Sequence, residues 1–79
     1  MARVLPTHES FYSDEKIVQL SYGARFFFRG LTDFADAQGN IEWEPRHLAT
    51  VILADVNSVD LAIGYMAEIQ QVGLVEVDA

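Results

Sequence analysis

The sequence has no cysteine, only two prolines and five basic side chains, and no long apolar run. Without cysteine there is no disulfide framework, no thiolate metal site and no cysteine nucleophile. The chain is therefore indifferent to the redox state of its compartment. Its longest apolar stretches are a few residues, far short of the ~20 that cross a bilayer, so no membrane partner is expected. Met1-Ala2-Arg3-Val4-Leu5-Pro6 has one charged side chain and then a proline, with no apolar run behind it, so no secretory leader is read there. A cytoplasmic protein is the simplest expectation.

Positive charge is scarce in a particular way. Five Lys and Arg stand against twelve Asp and Glu, a net charge of −7. The bases are Arg3, Lys16, Arg25, Arg29 and Arg46; beyond Arg46 come Asp55, Asp60, Glu68, Glu76 and Asp78 with no Lys or Arg at all. Non-specific nucleic-acid affinity comes mostly from neutralising phosphates, so this balance disfavours DNA.

Hydrophobic residues make up 51% of the 79-residue chain and aromatics 11%. That supplies one core and excludes a globally disordered chain. A domain this short buries only about 60% of the surface its unfolded form exposes, so its margin of stability is small.

Residues 1–10, with Pro6 and the polar run Thr7-His8-Glu9-Ser10, read as a flexible arm, and residues 11–79 as a single domain. Ser13 is an expected N-cap, with Asp14 and Glu15 in the first turn of a short helix that ends on Ile17, Val18 and Leu20. Ser21 caps a longer helix, from about Tyr22 to Asp36, whose inward stripe is Ala24, Phe27, Phe28, Leu31, Phe34 and Ala35. Phe26 lies off that stripe. It is expected either to pack under the first helix, the favoured reading, or to face a partner.

Gln38-Gly39-Asn40 stops that helix, and Ile41-Glu42-Trp43 alternates like a half-buried strand. Pro45 fits the first position of the next helix, with Leu48, Val51 and Ile52 on its apolar face. Asn57 or Ser58 caps a last helix carrying Val59, Ala62, Ile63, Met66, Ile69 and Val72; Gly73 ends it and Leu74–Val77 follows as a strand. The predicted fold class is mainly α: a small winged-helix-like domain of three to four helices with a short two-stranded β-ribbon. The ribbon pairs Ile41–Trp43 with Leu74–Val77, and Trp43 with Val75 or Val77 should rest on the helices.

The residues Phe11-Tyr12-Ser13-Asp14-Glu15-Lys16, Leu20-Ser21, Ala24-Arg25, Phe28, Gly30-Leu31, Ala35-Asp36 and Gly39-Asn40-Ile41-Glu42 resemble the N-terminal domain of phage replication-organiser proteins. The resemblance continues through Glu44-Pro45, the aliphatic helix at Val51-Ile52 and Gly73-Leu74-Val75. It implies a winged-helix module that helps load replication machinery at a phage origin, in the bacterial host cell, and it brings direct DNA contact into consideration. Where the family's middle helix usually carries lysines, this one has Arg46 and His47. Where family members continue into a second wing strand, this sequence stops at Ala79, so the wing is expected to be truncated.

Catalysis is not expected. His8 and His47 have no partner at ligand spacing, the pairs Asp33/Asp36 and Glu42/Glu44 read as solvated, and no metal-binding histidine pair, phosphate loop or serine elbow occurs. No cofactor is implied. The expected action is protein–protein contact in phage-type replication or regulation, through Phe26 and through Asp60, Leu61, Tyr65 and Glu68 on the last helix. Phe11, Tyr12 and Met66 are further apolar candidates. A Leu61–Tyr65 stripe would serve a partner or a homodimer. The chief alternative is a small acidic inhibitor docking on a host nucleic-acid-binding enzyme. Weak DNA contact through Lys16, Arg25, Arg29 and Arg46 is the third reading. An ion pair between Arg29 and Asp33 is the structural expectation set against it.

Overall fold

The structure is a computed structural model that describes residues 1–5 and 15–77. In chain order the elements are β1 (Ala2–Val4), α1 (Glu15–Val18), α2 (Tyr22–Phe34), β2 (Asn40–Ile41), α3 (Pro45–Ile52), α4 (Val59–Gln71) and β3 (Val75–Val77). Four helices and a small antiparallel sheet make a mainly helical, winged-helix-like domain. Ser13, Asp14, Phe11, Tyr12 and His8 lie outside the described residues.

The sheet departs from expectation. It has three strands in the order β2-β1-β3, so the strand inside the segment read as an arm is its centre. Ala2 pairs with both Ile41 and Val77, Arg3 with Asn40 and Glu76, and Val4 with Val75, all antiparallel. The two strands expected to pair with each other are instead held apart by β1. β1 uses both of its backbone edges, and its side chains alternate between the faces: Ala2 is buried, Arg3 is exposed and Val4 is half-buried, so one face of the strand rests on the core. Arg3 faces Glu76 across the pair at 3.5 Å. At the far end the Leu5 N–H donates to the Leu74 carbonyl at 2.9 Å.

A tight turn delivers the chain from α2 to β2. The Asp36 side chain accepts from the backbone N–H groups of Gln38 and Asn40, both at 2.9 Å, and so its carboxylate is a turn component. Gly39 has φ +85°, which an L side chain rarely adopts, and its carbonyl accepts from the Val4 N–H at 2.8 Å. The turn is thereby stitched to β1.

The helices follow their caps. The Ser21 and Ser58 hydroxyls accept from the N–H groups of Ala24 and Leu61 at the starts of α2 and α4. Pro45 opens α3, and Gly73, at φ +83°, turns the chain out of α4. Phe27, Leu31, Met66, Ile69 and Leu74 are the largest fully buried side chains. Phe27 is the hub: Trp43 meets it edge-on at 6.4 Å between ring centroids, and the tilted Tyr65 ring lies 6.2 Å from it. Trp43 and Val77 are half-buried and Val75 is buried, so the sheet rests on the helices as expected. Trp43 itself lies beyond β2, because the Glu44 N–H turns back to the Glu42 carbonyl ahead of Pro45.

Candidate functional site

On α2, adjacent phenylalanines have opposite fates. Phe27 is 0% exposed and Phe26 is 61% exposed. At about 100° per residue the stripe positions Ala24, Phe27, Phe28 and Leu31 turn inward, which leaves Phe26 nearly opposite them. The favoured expectation that Phe26 packs under the first helix is therefore corrected. Phe34, placed on the inward stripe, is 52% exposed, because the stripe drifts round the helix and α2 ends at that residue.

The flanks of α2 are fixed by two glycines. The place a Cβ would take on Gly23 is filled by the Tyr65 side chain, and that on Gly30 by the Ile52 side chain, 2.6 Å from its nearest carbon. Bulk at either position would push α4 or α3 away. With both neighbours seated this closely, Phe26 stands between two shallow grooves. One, of about 320 Å³, runs towards the start of α2 and is lined by Gly23, Leu53, Asp55, Val56, Leu61 and Tyr65. The other, of about 210 Å³, runs towards its end and is lined by Arg29, Gly30, Asp33, Phe34, Val51 and Ile52. Phe26 borders both. Phe34, Val51, Val56 and Leu61 are also exposed large hydrophobics, so the face is a contiguous apolar strip crossing α2, α3 and the start of α4. Small proteins seldom leave such a strip uncovered without a use for it.

The structure thus gathers three of the expected partner residues, Phe26, Leu61 and Tyr65, on one groove. Tyr65 is only half-buried and combines core packing with groove lining. Asp60 is exposed in the first turn of α4, one residue from Leu61. Glu68 belongs elsewhere: its two carboxylate oxygens accept from the Ser21 N–H at 3.1 Å and the Ser21 hydroxyl at 2.9 Å. A negative group at the start of α2 suits the helix dipole, so Glu68 ties α4 to α2. Met66 is buried, and Ile63, expected in the core, is 50% exposed because the inward face of α4 is Ala62, Met66 and Ile69.

The basic candidates do not converge. The Arg25 guanidinium donates to the carbonyls of Ile17, Val18 and Leu20 at 3.1, 2.7 and 3.1 Å, and it lies 5.1 Å from the Tyr22 ring centroid. It closes the end of α1 and the turn behind it. Arg29 is exposed on the groove rim, and among the described residues no ion pair joins it to Asp33, contrary to expectation. Arg46 is exposed at the start of α3, and Lys16 is exposed on α1. Among the described residues no three His, Asp or Glu side chains gather as a metal site would need, and no helix is long and apolar enough to cross a membrane.

Val56 is a site residue that the sequence did not single out, and Phe34 and Val51, expected on inward faces, are exposed and line the groove. The buried face of α3 is Leu48, Ala49 and Ile52, which leaves Val51 at its edge. No protein-family model, curated protein or solved structure matches this chain.

Proposed function

We propose that this chain is a non-enzymatic accessory protein that acts by offering the Phe26 face to a protein partner, in phage-type replication or regulation within the bacterial host cytoplasm. The observation that carries the reading is Phe26 itself, an exposed aromatic set between two grooves on a helix capped at its N-terminus by Ser21. Interface centres are enriched in aromatic side chains, and the energy of binding concentrates in a few such anchors. A rigid helix presents the ring with little ordering on association. The resemblance to replication organisers supplies the setting, and the net charge of −7 favours a partner whose matching surface is apolar with a basic rim.

Asp55 on the groove rim and Asp60 beside Leu61 favour one variant of the reading, the acidic inhibitor, in which the same face enters a basic cleft of a host nucleic-acid enzyme. The two variants differ in the identity of the protein captured.

A photo-crosslinking amino acid at position 26, compared with one at exposed position 42 outside both grooves, tests the proposal. In host lysate, position 26 should give discrete protein adducts and position 42 none. Equal labelling from the two positions, or none from position 26, would refute the reading.

A further inference from the structure

We infer that one occupant of the Phe26 face is a second copy of this chain, seated with the two α2 helices antiparallel about a two-fold axis beside Phe26. The inference rests on the docking reading above and names a partner for the same face.

The grooves lie on opposite sides of Phe26 along α2, one beside Gly23 and the other beside Gly30. A two-fold axis lying in the interface and crossing α2 between Phe26 and Gly23 lays one end of the strip over the opposite end of the second copy. Such an arrangement is isologous, so each contact occurs twice. Each Phe26 ring then enters the other copy's larger groove. An apolar cavity of about 150 Å³ already accepts a benzene ring, and this groove measures about 320 Å³.

The charges agree with that register. Arg29 borders the groove towards the end of α2, whereas Asp55 is the only charged one among the described residues that line the groove beside Gly23. The antiparallel register brings Arg29 of each copy towards Asp55 of the other. Asp33 shares the Arg29 groove but lies a turn further along α2, away from the axis. Both Arg29 and Asp55 are exposed, so they are open to a new partner. A parallel register would instead place like charges together. Two chains each of charge −7 repel overall, which keeps the pair weak and exchangeable with a heterologous partner.

Sedimentation equilibrium of the purified full chain, from ten to several hundred micromolar, tests the inference. A monomer–dimer equilibrium is expected, abolished by Phe26→Asp. Arg29→Glu and Asp55→Arg should each weaken association by about tenfold, and the two together should restore it. Circular dichroism checks that every variant stays folded. A chain monomeric throughout, a dimer indifferent to Phe26→Asp, or a double variant no better than the single ones would overturn the inference. If the chain is monomeric while position 26 still captures another protein, the second-copy inference falls and the docking reading stands. If neither occurs, both fall.

Discussion

Glu68 and Phe26 show how differently exposed-looking residues are used. Glu68 holds the Ser21 N–H and hydroxyl, and so cross-links α4 to the start of α2. Ser21→Ala should destabilise the domain by about 1 kcal/mol, the usual effect of losing such a cap. In a urea-unfolding double-mutant cycle with Glu68→Ala, the pair should show a coupling of about 0.5–1.5 kcal/mol. Strict additivity would mean that the hydroxyl–carboxylate bond contributes nothing. Phe26 has no such internal work. Its aromatic surface is half of a contact whose other half is another molecule, and its replacement should leave unfolding nearly unchanged, as surface substitutions generally do.

At the scale of elements, the helices pack by omission of side chains as much as by their presence. Gly30 lets Ile52 of α3 approach α2, whereas no described residue lies within 4 Å of the place a Cβ would occupy on Gly64 of α4. Gly64→Ala should therefore stabilise the domain by about 1 kcal/mol through helix propensity alone. Gly30→Ala should destabilise it by about 1–3 kcal/mol, because overpacking against Ile52 outweighs that gain. Thermal unfolding reads both, and the same sign for the two would contradict the packing described. Helix starts were legible in the sequence because Ser21, Pro45 and Ser58 act locally. Helical angle set Phe26 off the main stripe but left open whether the first helix covered it, and the favoured reading that it did was wrong. β1 was not legible: three residues ahead of Pro6 give too short an alternation, and its place in the sheet depends on residues some forty and seventy positions away. For the same reason Phe34 and Val56 could not be assigned to the site. Their exposure depends on where α2 ends and on the path between α3 and α4, both settled by tertiary packing.

For the molecule as a whole, charge and topology divide the labour. The sheet joins the two ends of the described chain around β1, and the apolar strip crosses α2, α3 and the start of α4. The basic side chains are spread out, with Arg25 occupied by carbonyls and Arg3 facing Glu76. With a net charge of −7, the chain should give no fluorescence-anisotropy change with duplex DNA at tens of micromolar, even at low salt. Salt-sensitive binding there would restore the DNA reading and demote the apolar face. The face itself is tested most directly by calorimetric titration of the protein captured at position 26 with wild-type chain and with folded Phe26→Asp. The account predicts that the substitution weakens binding by at least about thirtyfold, the mark of a buried anchor. An unchanged Kd would contradict it.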